Sequence, residues 1–339
     1  RFLVLYLIIR YLVKENLIKF KFIFFFYGSA CAFVAFDLVV QHIFRQDLFG
    51  YTVGPKQRVL SGPFGDEYVA GAFIQRFFIF ALYFIILFSR FKKNLIGKIL
   101  IYLSLVFFLI AALLAGNRIP LILFIFILIL FFLFEKAFRS QFLITFVILF
   151  SIISINIVYN QNLQKHYYGF VKNSIQIMDY LSTRLSSQEL EHTPNTYTKE
   201  IETGILTWQK NKIFGGGIKS FYLNCSTIKN SVLDKYGGTN CNTHPHNYYL
   251  QIAGELGILG LLLSLTIFIL LTMQSIKKLL SIENEYAKKL LLPFFIIFLA
   301  EIFPFKTTGS FFTSANATYL FIIIAFMVGL IQVKNLKKI

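Results

Sequence analysis

Charge is what this chain has least of. Only 14% of its 339 residues are Asp, Glu, Lys or Arg, against about 25% in soluble domains. With 57% apolar residues and a mean hydropathy of +0.68, a water-soluble globule is excluded and the chain reads as an integral membrane protein. Acidic residues are scarcer than basic ones, 16 against 33, which leaves a formal charge of +17. The excess does not point to nucleic acid, because the basic residues are not gathered on one surface. They stand in short clusters between apolar runs, as the positive-inside rule expects. There are three cysteines. Cys31 falls inside an apolar segment and reads as packing. Cys225 and Cys241, 16 apart in a long polar stretch, read as a disulfide if that stretch is extracytoplasmic, contributing about 3 kcal/mol by loop entropy. A zinc pair is the weaker reading, since His244 and His246 complete no recognised ligand spacing. Metalloprotease, Ser-His-Asp and kinase spacings are missing too. No Asp-x-Asp-like carboxylate pair is read on the outer side, so no metal and no cofactor are expected.

What is there is a series of apolar runs. Spans are expected at about 22–40, 70–89, 99–115, 119–134, 141–159, 246–272, 288–304 and 317–333, each near the 20 residues a bilayer requires. Residues 1–13 are apolar but too short. The sequence starts at Arg1 rather than Met, so it is expected to open inside a helix with its N-terminus truncated. The expectation is an all-α polytopic protein of about nine to ten transmembrane helices. It is organised as N-terminal helices over 1–159 with a glycine-rich outer loop at 41–69, one large loop over 160–245, and C-terminal helices over 246–339. Charge orders the topology. The connections at 14–21, 90–98, 135–140 and 273–289 and the C-terminus all carry Lys or Arg clusters and fall on one side by counting spans. The loops at 41–69, 116–118, 160–245 and 305–316 then share the extracytoplasmic side.

Four polar features fall on that side. RVLSGPFGDE, residues 58–67, folds a tight loop. Its Arg58 either binds a sugar or phosphate or closes the turn with a salt bridge. AGNRIP, residues 115–120, must be a turn, because one helix over 99–134 would be about 54 Å long, well beyond a hydrocarbon core of about 30 Å. Asn117 can cap the next helix and Pro120 can sit in its first turn. Arg118 is then a lone cation at an outer helix N-terminus. It suits a phosphate, which Arg grips through paired hydrogen bonds, and snorkelling to headgroups is the alternative.

WQKNKIFGGGIKSF, residues 208–221, offers three glycines for close backbone approach to a ligand amid Lys212 and Lys219, but lacks the ending of a P-loop. Arg184, His192 and Tyr197 lie upstream in the same stretch. Last comes THPHNYYLQIAGELGILG, residues 243–260, which puts His244, His246, Asn247 and Tyr248 at the mouth of a helix. Ala253, Gly257 and Gly260 would let a neighbouring helix approach closely there. An interfacial belt of Tyr and His is the competing reading.

HPHNYYLQIAGELGILG, preceded by NKIFGGGIKSF, with RVLSGPFGDEYVAG and the GNR turn upstream, resembles the O-antigen ligase and O-antigen polymerase family of bacterial envelope glycosyltransferases. The resemblance covers roughly residues 55–265. It implies a multi-spanning, inverting, lipid-phosphosugar type of glycosyltransferase in the bacterial inner membrane. Such an enzyme takes a glycan from undecaprenyl diphosphate on the periplasmic face without a metal. It further implies that Arg118 and His246 are catalytic, matching the family's helix-turn arginine and the histidine of its H-N motif. The family's loop arginine has no counterpart directly before Trp208. Arg184 is displaced, and Lys212, Lys219 or Arg58 are the other candidates for a phosphate-binding cation. His244, Asn247 and Tyr248 are expected to line the substrate site, and Arg118 and His246 to face a common pocket. The expected acceptor is lipid A-core, as in a ligase. A lipid-linked repeat unit, as in a polymerase, a protein hydroxyl, or a transporter of lipid-linked glycans are the alternatives.

Overall fold

The computed structural model describes residues 2–53, 59–88, 95–159, 161–186, 196–228, 241–307 and 309–333. The described residues are helical, with no strand and a single isolated bridge between Gln46 and Thr52. In chain order the helices are α1 Phe2–Lys14, α2 Phe20–Phe44, α3 Ala70–Phe88, α4 Leu95–Leu114, α5 Arg118–Phe134, α6 Arg139–Tyr159, α7 Gln161–Ser186, α8 Thr196–Lys210, α9 Ser220–Asn224, α10 Tyr248–Ser281, α11 Glu285–Glu301 and α12 Ser314–Gln332. Their bounds follow the apolar runs closely, because a segment in hydrocarbon must satisfy its own backbone hydrogen bonds and helix is the local solution.

Five of them, α2, α3, α4, α10 and α12, are long and apolar enough to cross a membrane, and the number is six if α5 and α6 count as one span bent by 111°. That is fewer than the nine to ten expected. α1, α5 and α11 run for 13, 17 and 17 residues, short of the roughly 20 a straight crossing needs. The stretch over 160–245, expected as one loop, holds α7, α8 and α9.

The chain divides into two compact units, one of residues 1–149, 270–303 and 318–339, the other of residues 150–269 and 304–317. The first is a phenylalanine-rich bundle. Gly28 of α2 lies against Ala81 of α3, where an added Cβ would stand 2.9 Å from the Ala81 Cα. Phe24 meets Phe80 and Phe294 edge-on, and Phe294 stacks on Phe326 at 4.9 Å. Ion pairs interrupt this apolar core. Arg76 grips Glu301 through two hydrogen bonds of 3.1 and 3.2 Å, and its guanidinium lies 4.7 Å from the centre of the Tyr319 ring. Glu301 is buried, and a carboxylate out of water requires such a partner.

In the second unit α10 is broken at Gly257, whose φ of 71° and ψ of −173° are not helical. A break leaves backbone donors and acceptors without intrahelical partners, at several kcal/mol each in an apolar medium. Residues 212–217 supply the replacements. Gly216 and Gly217 donate to the carbonyls of Gly254 and Glu255, both at 2.9 Å, while Ile258 and Leu259 donate to those of Lys212 and Ile213. A Cβ on Gly215 would run into the backbone of Glu255 and Gly257, and one on Gly257 into that of Ile213 and Gly215. One expectation is thereby corrected: the close approach at Gly257 is by the loop of residues 212–217 and not by a neighbouring helix, and the amides of Gly216 and Gly217 are used in bridging the break.

Candidate active site

His246 is presented by a reversal of the chain. Its own φ is +46°, a left-handed conformation that costs energy in a non-glycine residue. The next residue, Asn247, then caps α10, its Oδ1 accepting from the amides of Tyr249 (3.0 Å) and Leu250 (3.1 Å), as Asn favours at that position. Its Nδ2 donates to the Pro304 carbonyl at 2.9 Å. Asn247, expected to bind substrate, is occupied at both ends in building the helix mouth. Tyr248 is buried edge-on against Phe311, with the Lys306 ammonium 4.9 Å over its ring. Tyr248, expected to line the substrate site, thus has the Lys306 ammonium over its ring.

The imidazole of His246 has a defined tautomer. Its Nδ1 lies 3.1 Å from the Thr307 carbonyl, which can only accept, so Nδ1 carries the proton. Nε2 is left with its lone pair, 2.8 Å from the Asn242 amide nitrogen. That nitrogen also donates to Glu200 Oε1 at 3.4 Å, and the carboxylate stands 4.0 Å from Nε2 itself. The His246 side chain is 32% exposed, enough for a hydroxyl to reach it. The result is a histidine oriented from behind, with Nε2 against the Asn242 amide and a carboxylate beside it. This is the arrangement a general base needs.

α8 is brought to this place by Gly204, where an added Cβ would stand 3.2 Å from Pro245. Glu200, one turn earlier on the same face, therefore points to the His246 turn. Glu202 is also buried. The two form a Glu-x-Glu pair in a stretch where no carboxylate pair was expected; on a helix its carboxylates point some 200° apart, so they do not act as one chelating pair. His244 lies beside His246 with the rings tilted by 53° and their centres 4.4 Å apart, its Nδ1 against Thr243 Oγ1 at 2.9 Å. Burial, and then the charge that His246 can carry, lower its pKa from 6.5 to about 4.

The remaining candidates are spread more widely. Lys212 and Lys219 are exposed. The Lys212 carbonyl accepts from the Trp208 indole at 3.1 Å, and Lys219, at φ 69°, caps α9. Cys225 and Cys241 are joined, their Cα atoms 5.5 Å apart. Arg184 lies on α7 with its side chain outside the described part, and Arg58 and His192 lie outside the described residues. Arg118 opens α5, half-buried, in the other compact unit. Asn117 precedes it at the capping position without a side-chain capping bond. Its amide instead donates to the Tyr68 carbonyl at 3.2 Å, and Gly71 leaves it room.

Glu200, Asn242, Thr307 and Lys306 were not singled out in the sequence. Glu200 lies 46 residues before His246 and Thr307 lies 61 after it, and only the fold brings them together.

A family model described as O-antigen ligase matches residues 103–265. No curated protein matches the chain. The matched stretch runs from α4 into α10 and contains Arg118, Glu200, Asn242, His246 and the Gly257 break. Over residues 103–265 the chain is thus similar to the O-antigen ligase family, whose members are glycosyltransferase-like enzymes.

Proposed function

We propose that this protein is an O-antigen ligase, moving a finished glycan from undecaprenyl diphosphate to a hydroxyl of lipid A-core at the periplasmic face of the inner membrane. The observation that carries the reading is the oriented, partly exposed His246, its Nδ1 held by the Thr307 carbonyl and its Nε2 covered by the Asn242 side chain, inside the stretch matched by the family model. The acceptor oxygen attacks the anomeric carbon from the face opposite the diphosphate. A new C–O bond forms, the bond to the phosphate oxygen breaks, and its electron pair leaves with the diphosphate. The acceptor proton goes to His246 Nε2. Diphosphate is stable as an anion and needs no acid to depart. The cation that meets its growing charge is assigned to Arg118, through the two-pronged geometry of guanidinium on phosphate and the amides of the first turn of α5. No metal is needed for this assignment.

A deletion strain of the source bacterium, examined by lipopolysaccharide gel, tests the reading. Loss of every capped species with the lipid-linked polymer retained is the ligase outcome. Capping by a single repeat unit shows instead that the acceptor is another lipid-linked repeat and the enzyme a polymerase. An unchanged ladder refutes both.

A further inference from the structure

The Asn242 amide nitrogen has two hydrogens, and the structure uses both: one on His246 Nε2 at 2.8 Å, the other on Glu200 Oε1 at 3.4 Å. This bridge fits only the neutral histidine. Once Nε2 has taken a proton, two donors face each other and the contact must open. Asn242 is exposed and its side chain can move, while Glu200 sits buried on α8 and stays. The new N–H then faces a carboxylate 4.0 Å away.

We propose that Glu200 is a positioning residue for His246, the counter-ion that takes over the imidazolium when the acceptor hydroxyl gives up its proton, and that Asn242 is the removable bridge between them. In the resting site the amide covers the lone pair. The incoming hydroxyl displaces it, delivers its proton to Nε2, and leaves an imidazolium held by Thr307 O on one side and by Glu200 on the other. One proton moves and no other bond changes at these residues. Gly204 is part of the device, since it lets α8 lie close enough to Pro245 to bring Glu200 into range. The inference rests on the reading of His246 as the base.

The groups facing His246 set the expected pH behaviour. Glu200 faces it from α8, and His244, within its own turn, is held neutral down to about 4. The segment over 304–317 contributes the Thr307 carbonyl, and the neighbouring Lys306 points its ammonium to the Tyr248 ring. Of these groups, Glu200 is the one that sets a carboxylate beside Nε2.

The test uses the full chain in nanodiscs with an undecaprenyl-diphosphate-linked oligosaccharide donor, offered lipid A-core and, separately, excess donor as acceptor. Glu200→Gln is expected to lower kcat about ten- to hundred-fold with little change in KM, and to move the acid limb of the rate profile to lower pH. Glu200→Asp recovers part of both. Asn242→Ala, which lets the carboxylate act on the ring directly, is expected to move the same limb to higher pH. The proposal is overturned if Glu200→Gln keeps the native kcat and limb while His246→Ala is inactive, or if both variants move the limb the same way. A native rate in His246→Ala instead refutes the base assignment itself. Should Glu200→Gln not accumulate, Asn242→Ala decides alone: an upward limb supports the bridge, an unmoved one overturns it.

Discussion

The Nδ1 of His246 and the carbonyl of Thr307 lie 3.1 Å apart, and this contact with a backbone oxygen determines which ring nitrogen is free for chemistry. A main-chain acceptor cannot be lost by substitution, so the tautomer persists in any variant that keeps the 304–317 segment. Removal of the ring itself is therefore the informative change. His246→Ala should lower transfer by about 10²- to 10⁴-fold, the range for a lost general base, while the protein accumulates in the membrane at the native level. Transfer at the native rate in a radiolabelled-glycan assay would take His246 out of the mechanism.

Arg118 is assigned to the leaving diphosphate by its chemistry and its place at the first position of α5. Arg118→Ala should cost about 10²- to 10³-fold in rate, the scale of a lost preorganised charge donor. Arg118→Lys should fall between the two, because an ammonium keeps the charge and loses the paired geometry. Equal activity of all three proteins would show that the residue serves only to hold the helix end.

Gly257 combines φ 71° with ψ −173°, a region open essentially to glycine alone, where another residue costs about 1–3 kcal/mol. Any Cβ would also run into the backbone of Ile213 and Gly215. Gly257→Ala should lower the thermal midpoint in detergent well beyond Gly254→Ala. Gly254 lies three residues earlier in the same helix, with nothing near its Cβ position. Matching midpoints for the two variants would contradict the backbone clamp.

These contacts explain what the sequence could and could not tell. The helices α2, α3, α4 and α12 were legible because long apolar runs bounded by lysines have one cheap conformation in a bilayer, and the cap at Asn247 is a local event. The break at Gly257 was not legible. It interrupts a continuous apolar run without proline, and the loop that completes it lies some forty residues upstream. Small residues at 253, 257 and 260 suggested a helix–helix seam, yet glycine permits close approach and positive φ alike, and only the fold says which is used. The Arg76–Glu301 pair joins positions 225 apart, and its sequence trace is a single charge in each of two otherwise apolar runs, with nothing local to match one to the other.

The proposed mechanism calls for no metal, because of the way it handles charge. The proton has His246 to go to, and the diphosphate is assigned to a guanidinium rather than to a bridging divalent cation. Transfer measured after exhaustive EDTA dialysis should equal the untreated rate. Inhibition reversed by added magnesium would show that a cation takes the place given to Arg118.

The acid limit of stability should carry a signature of His244. Burial, with a smaller push from His246, lowers its pKa in the folded protein to about 4 from an ordinary 6.5. Between those values the unfolded chain binds a proton that the folded one refuses, so stability rises with pH across the window. The contribution is intact above about 6.5, and it is lost progressively as the pH falls toward 4. His244→Gln removes the titrating group and should flatten the dependence of the thermal midpoint between pH 6.5 and 4, while leaving the midpoint at pH 8 little changed. The side chain is only partly buried, so the effect is modest, and its position on the pH axis rather than its size is the test. Parallel curves for the native protein and the variant throughout that window would mean that the folded protein accepts the proton at His244 as readily as the open chain does.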